Sequence, residues 1–454
     1  GNKTTVTVSG IDIVTRASTV TYDAKGEFGL SATNALNQTI SAQFDSRHGM
    51  QTSTTDPNGL VATNTFDTFG RVTLEIKPDN TRVGYAYSYC SGVNGGTATC
   101  VSGAAFVVTA TPFASDGVTQ NGPQVKSYSD ALARVIAVDS QGFDGSAVRT
   151  ATQYDTFGRM AQVSRPYFVV GGTPKWMVNT YDGIGRVVDI LQPNGGHVST
   201  VYNGLTTTVT NALSQTTTSV KNTQGHIASV TDSGGNLSQY AYDPFDNVKT
   251  ITDASGNVTT FTYDVRGRKT AANDPDMGLW QYSYDVLDQL VSQTDAKNQT
   301  STLSYDKLGR AAQRVEVGQT STWVYDTADK GIGKLASDSA TNGASHTYAY
   351  DSLSRAVTTS TTIDGNTYSV TTTYDAASRP DLITYPSGFA VKHVYTALGY
   401  LSQIKNNATS ASLWQANTAN AEMQITQQTA GNGLVTNRTF DANTGLPQTV
   451  QAGT

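Results

Sequence analysis

Charge is scarce in this sequence. Lys, Arg, Asp and Glu make up 15% of its 454 residues, against roughly 25% in ordinary soluble domains. The net charge is −6 with no basic block, which gives no footing for nucleic acid or an anionic membrane as a partner. No apolar run approaches the roughly 20 residues of a transmembrane helix. The start, Gly1-Asn2-Lys3-Thr4, lacks the charged-then-apolar pattern of a signal peptide and already reads as strand. It is expected to belong to a piece of a longer polypeptide.

Metal ligands are equally thin. His48, His197, His226, His346 and His393 are isolated in sequence, and none stands at ligand spacing from another, so no metal and no cofactor are expected. Asp274-Pro-Asp276-Met-Gly278 lacks the rest of a calcium loop and reads as a turn. Asn257-Val-Thr259 matches a glycosylation acceptor, as a composition rich in Asn and Thr will do by chance. The two cysteines, Cys90 and Cys100, flank a Gly-rich interval. They either close a hairpin disulfide, which implies an oxidising compartment, or remain two free thiols. An amphipathic helix of useful length is missing as well.

What the chain does have is tyrosine, 23 of them, together with Thr-rich runs that suit a pleated surface and argue against disorder. The tyrosines recur. Tyr242-Asp243, Tyr263-Asp264, Tyr284-Asp285 and Tyr305-Asp306 follow one another every 21 residues. Two continue as Tyr-Asp-x-x-Gly-Arg, ending at Gly267-Arg268 and Gly309-Arg310. Full copies also stand at Phe66-Asp67 with Gly70-Arg71, Tyr154-Asp155 with Gly158-Arg159, and Tyr181-Asp182 with Gly185-Arg186. Tyr350-Asp351 with Arg355 and Tyr374-Asp375 with Arg379 carry Ser in place of Gly. A fixed period of this length means that no unit buries its apolar face alone. Residues 1–454 are therefore read as one continuous array, with a loop-like insertion at about 85–125 and a degenerate region at about 396–437.

Inside a unit the period is two. Tyr240/Tyr242, Phe261/Tyr263, Tyr282/Tyr284, Trp323/Tyr325 and Tyr348/Tyr350 share one sheet face, while Thr, Ser and Ala between them predict a wetter opposite face. Each unit supplies two strands of about seven residues and two turns, too short to be stable alone, so successive hairpins must pair edge to edge. A meander this long accumulates twist and coils. The expected fold is all-β.

A Tyr beside an Asp can serve acid–base chemistry, but no enzyme needs that pair a dozen times. The reading preferred here is structural: Tyr packs on a face and Asp accepts backbone N–H bonds in the turn. Gly supplies the left-handed turn residue, and Arg pairs with neighbouring Asp side chains or carbonyls. An anion site built from the arginines is the less favoured alternative.

Tyr-Asp-x-x-Gly-Arg at this spacing, preceded by Asp-x-x-Gly-Asn-x-Thr at Asp253–Thr259, resembles the YD-repeat family. That family includes bacterial Rhs proteins, the B and C components of insecticidal Tc toxins, and the animal teneurins. The segment Gly431–Asp441, with Trp414 upstream, is similar to the late part of such arrays. The resemblance implies hairpins coiled as a spiral sheet into a hollow shell, or part of one, that encloses a C-terminal toxin domain. The strongly patterned terminal core of the bacterial members, whose aspartates help to cleave the chain, has no counterpart before Thr454, so autoproteolysis is not carried over.

The function expected on this basis is a non-catalytic β-shell scaffold. It would encapsulate or present a toxin or effector domain of a larger secreted bacterial polymorphic toxin. The alternative is a surface adhesin that binds carbohydrate or protein. An enzyme hidden at 85–125 ranks last, for want of any nucleophile–base pair. Expected partners are the cargo or other segments of the parent polypeptide, and a delivery-machinery or cell-surface partner. The expected location is secreted or on the bacterial cell surface.

Overall fold

The computed structural model describes residues 1–10 and 13–453; the expectation attached to the chain's end at Thr454 lies outside them. Among the described residues there is no helix, and forty strands join into one antiparallel sheet. Each strand pairs with its neighbour in sequence, as Val258–Tyr263 does with Lys269–Asp274. The order departs from this at one place. Met160–Ser164 pairs forward with Trp176–Tyr181, while the short Tyr167–Phe168 strand returns to Ala147–Tyr154. Pro166 and Gly171-Gly172 punctuate that detour and account for the longer repeat there.

The period-2 pattern has its expected effect. Along Val258–Tyr263, Thr259, Phe261 and Tyr263 are half-buried and the residues between them exposed. Full burial is nevertheless rare. The buried apolar residues are Cys90, Val107, Tyr128, Ala137, Val148, Val391 and Ala416. The accessible surface is 25488 Å², against about 16,500 Å² for a compact protein of this mass. Both faces of the sheet are wet, as in a wall.

The stretch 85–125 is not a loop throughout. Arg82–Tyr89 pairs with Phe106–Phe113 over eight positions, and Phe106–Phe113 pairs onward with Val125–Ser129. Residues 90–105 and 114–124 are what leave the sheet. They lengthen the spacing without interrupting the strands, whose Val, Thr and Tyr fit the pleat. Cys90 and Cys100 are joined as a disulfide, with Cα atoms 5.6 Å apart. The loop they tie folds back so that Ala98, Val101 and Ala104 pack on Val107, Tyr128 and Ala137. Residues 396–437 are degenerate in letters only: Leu401–Asn406, Ser412–Ala419, Ile425–Ala430 and Val435–Phe440 continue the sheet.

The sheet coils on itself. Arg16 Nη2 donates to Gln289 Oε1 at 2.9 Å across 273 residues, and Asn58 exchanges two 3.0 Å hydrogen bonds with the backbone of Ile332 across 274. Ser378 bonds Asp79, the Tyr400 hydroxyl donates to Gln141 O at 2.7 Å, and Arg165 clamps Glu422 with two 2.7 Å bonds. The chain thus returns to itself after 257 to 299 residues. Some two dozen strands at about 4.8 Å give a perimeter of roughly 110 Å and a diameter of roughly 35 Å.

Candidate functional site

The repeating turn is the one constellation of functional groups that recurs along the molecule. In Asp264–Arg268, Asp264 N–H donates to Arg268 O at 3.0 Å and Gly267 N–H to Asp264 O at 3.0 Å. This is a type I turn followed by a left-handed residue, the G1-bulge hairpin, and it shifts the register between Thr262 and Tyr263. Gly70, Gly158, Gly185, Gly267 and Gly309 hold that position with φ between 76° and 88°. Ser354 and Ser378 hold it at 58° and 61°, where a Cβ is strained.

The carboxylate closes the turn. Asp264 Oδ1 accepts the N–H of Arg266 at 2.9 Å and of Arg268 at 3.0 Å, and Oδ2 accepts Arg268 Nε at 2.7 Å. Asp67, Asp155, Asp182, Asp306, Asp351 and Asp375 do the same with Arg71, Arg159, Arg186, Arg310, Arg355 and Arg379. The backbone N–H of Arg268 holds the Asp264 carboxyl below the usual carboxylate range, and that of Arg186 does so for Asp182. In Asp243 and Asp253 the side-chain amides of Asn247 and Asn257 are the leading cause. These acids are committed as acceptors and hold no proton to give near neutrality.

Each arginine then reaches the next repeat. The Arg71, Arg159, Arg186, Arg268, Arg310, Arg355 and Arg379 guanidinium groups lie 4.0 to 5.2 Å from the ring centres of Tyr87, Tyr181, Tyr202, Tyr284, Tyr325, Tyr374 and Tyr395. The tyrosine answers through its hydroxyl. Tyr242, Tyr263, Tyr284, Tyr305 and Tyr350 donate to the carbonyls of Ile227, Val248, Lys269, Leu290 and Leu335 at 2.6 to 2.9 Å. The acceptor is in every case the residue just after the preceding turn. Tyr154, Tyr181 and Tyr374 reach Val135, Met160 and Ala356 in the same way. Burial pushes the phenols of Tyr263, Tyr284, Tyr305 and Tyr350 up. A stacked cation at about 0.5–1 kcal/mol and a hydrogen bond at about 1 kcal/mol clasp each hairpin to the next. Arg268 also reaches Asp285 O and Asp288, and Arg310 pairs with Asp326, so the clasps form a ladder.

Several turns escape a search for Tyr-Asp. Asp130–Arg134 is a full cradle with Ala133 at φ 62°. Asn34–Gln38, Asn211–Gln215 and Asn420–Gln424 invert the polarity: Asn Nδ2 donates to Gln Oε1 at 2.7 to 2.9 Å, while Asn Oδ1 still caps the backbone. Asp232–Asn236 and Asp253–Asn257, on the opposite edge of the sheet, share the geometry. The signal that finds them all is Asp or Asn followed four residues later by Arg, Asn or Gln.

All Tyr-Asp turns lie on one edge, because an even number of steps through the sheet separates each from the last. The coil seats that edge, over residues 285–424, on the opposite edge of the first coil: Asn58, Asp79, Gln141 and Arg165 meet Ile332, Ser378, Tyr400 and Glu422. Gly399 fits so closely there that an added Cβ would stand 2.8 Å from Asn121 O. A cavity of about 820 Å³ opens in this seam, lined by Val14, Arg16, Leu36, Val286, Leu303 and Asp306 among others. Arg16 is engaged with Gln289 and Asp306 with Arg310, and much of the lining is apolar, so the space reads as a packing gap of the seam. Among the described residues no group of three or more His, Cys, Asp and Glu could hold a metal ion, and there is no helix long and apolar enough to cross a membrane.

The RHS repeat model matches residues 222–254, 242–276 and 284–317. Solved structures extend the likeness to the whole chain. The TcdB2-TccC3 structure without its hypervariable C-terminal region superposes with a TM-score of 0.81 at 14% identity, over 96% of this chain and 29% of that one. A TcdB2-TccC3-Cdc42 structure gives 0.82 at 14%, covering 96% and 30%. The Tc holotoxin pore of Photorhabdus luminescens with a TccC3 variant gives 0.81 at 13%, covering 96% and 29%. The chain therefore spans under a third of the solved chains it matches. Comparison with curated proteins gives no match. The RHS repeat model thus matches three stretches in the middle of the chain, and the solved structures share its coiled-sheet fold over nearly all of it.

Proposed function

We propose that this Rhs/YD-repeat chain is a non-catalytic segment of shell wall whose work is to enclose. The observation that carries the reading is closure: the sheet returns onto itself through Asn58–Ile332 and Arg165–Glu422 with both of its faces in water. A roughly 35 Å ring of strands spaced about 4.8 Å apart leaves a bore wide enough for an unfolded or compacted chain. The recurring acids and arginines support the same view, since each is spent within a clasp. The cargo proposed is a toxin or effector domain carried on the same polypeptide, in the setting of a secreted bacterial toxin. The similar Tc structures, one solved without a hypervariable C-terminal region, supply the precedent. The Cys90–Cys100 disulfide suits an oxidising compartment.

The test is protease protection. In the native polypeptide that carries this segment, a downstream domain is expected to resist digestion while the wall is intact. It should become sensitive when Leu353→Asp opens the seam. Digestion at the rate of a free unfolded domain with the wall intact would rule enclosure out, and saturable glycan binding by the wall alone would favour an adhesin.

A further inference from the structure

Among the described residues, Val107, Tyr128 and Ala137 form the one cluster of buried apolar side chains. They stand in a row on three neighbouring strands, Val107 opposite Tyr128 and Tyr128 opposite Ala137. What covers them is the loop closed by Cys90–Cys100, through Ala98, Cys100, Val101 and Ala104. This cover rests on side chains of a sheet face, so its packing needs no neighbouring coil. The same loop is one wall of a cavity of about 500 Å³. Val101, Ser102 and Gly103 line it on one side, and Tyr167 and Trp176 on the other, two or more strands away. Without the disulfide little holds the cover down. Its buried side chains are small, so few methyl groups leave water when it closes. Gly92, Gly95 and Gly96 between the two cysteines give the open loop much freedom to lose. A cross-link removes most of that freedom from the open state. The backbone ties are sparse, among them Ala105 N–H to Ser129 O at 2.7 Å and Ala98 N–H to Tyr89 O at 3.3 Å.

We infer that Cys90–Cys100 is a redox-sensitive latch: a dithiol opens it, releases the loop and bares the Val107–Tyr128–Ala137 row while the sheet stays intact. Cys90 is 3% exposed and Cys100 half-buried. The incoming thiolate therefore attacks Cys100 Sγ, and Cys90 leaves as a thiolate that takes up a proton. The second sulfur of the dithiol then closes on the first and displaces Cys100 from the mixed disulfide. Two S–H bonds replace the S–S bond, and the dithiol ends as a cyclic disulfide, having given up two electrons and two protons. The strands survive because their ladder does not pass through the loop: Arg82–Tyr89 pairs with Phe106–Phe113 directly. The wall then presents a covered face in an oxidising compartment and an apolar one in a reducing compartment. The inference concerns that face and holds whatever the wall encloses.

Dithiothreitol added to the folded chain is the test. Thiol titration is expected to rise from none to both cysteines of the chain, with the circular dichroism spectrum of the sheet unchanged. Elastase, which cuts after small apolar residues, should then cut after Val93, Ala98 or Val101, sites it spares in the oxidised chain. The amides of Ala98 and Ala105 should exchange at least about tenfold faster, and those of the distant strand Val258–Tyr263 at their former rate. The double variant Cys90→Ser with Cys100→Ser should behave as the reduced chain with or without dithiothreitol. Full reduction that leaves cutting and exchange unchanged overturns the proposal. So does a disulfide that dithiothreitol cannot reduce in the folded chain, or a reduction that melts the sheet.

Discussion

The two coils carry the same turn on the same edge, and it meets different surroundings. In the second coil the turn at Asp351 presents Leu353 to Pro57 and Leu60; in the first, the turn at Asp155 presents Phe157 to solvent. The carboxylate cradle is alike in both: Asp351 caps Leu353 N–H at 2.9 Å and Asp155 caps Phe157 N–H at 2.9 Å. Local hydrogen bonding thus sets the turn, and coiling alone decides which turns become an interface. A repeat array separates these two layers of information more cleanly than a globular core does, because each unit touches only its neighbours and the coil it lands on.

The largest break in that symmetry is expected at the third turn position. Leu353→Asp should destabilise by about 2–4 kcal/mol, through lost apolar contact and a charge brought into the seam. Phe157→Asp should stay within about 0.5 kcal/mol, the usual range for exposed sites. Urea melts of the two variants check the pair, and equal effects would mean that the seam does not cover Leu353.

Next comes glycine. Gly185→Ala suffers only the strain of φ 88°, about 1–2 kcal/mol. Gly399→Ala adds a clash with Asn121 O to a similar φ of 81°, and should cost about 1–2 kcal/mol more. Thermal midpoints of the two proteins separate the strain from the seam.

The clasp itself should not distinguish the coils. Tyr263→Phe and Tyr374→Phe each remove one hydroxyl bond to the preceding hairpin and should each lose about 1 kcal/mol. Hydrogen exchange at Val248 and Ala356 would place the loss at the predicted carbonyls' strands. Complete truncation to Ala removes a half-buried ring, so about 2–3 kcal/mol is expected, below the value for full burial.

Acid acts on many of the aspartate-capped turns at once. Asp182, Asp253 and Asp264 titrate below their ordinary range. Their stabilisation is therefore fully present above the unfolded value of about 3.9 and is lost as pH falls through the folded pKa. Denaturation midpoints should be flat from pH 8 to about 5 and drop below about 4. Midpoints that stay unchanged down to about pH 2 would contradict the capping role of these carboxylates.

Much of this was legible from the residues. The period of two at Phe261 and Tyr263 marks the strand, and the 21-residue recurrence marks the array, because both are written locally. The turns at Asn34, Asn211 and Asn420 were not, since an amide pair replaces the acid–arginine pair with its donor and acceptor exchanged. The strand at Phe106–Phe113 was hidden by the loop that precedes it, which stretched the spacing. The seam was invisible for a different reason: Asn58 and Ile332 are 274 residues apart, and accumulated twist rather than any motif brings them together.

The most direct test of the coil is a distance. Spin labels on Asn58→Cys and Ile332→Cys, with the native disulfide kept oxidised, can be measured by pulsed electron resonance. A coiled sheet predicts a separation of no more than about 20 Å, since the two backbones touch. A meander that stays open would hold the labels roughly 110 Å apart, two dozen strands at about 4.8 Å each. A narrow short-distance peak is the result this account requires, and its absence in folded protein would contradict it.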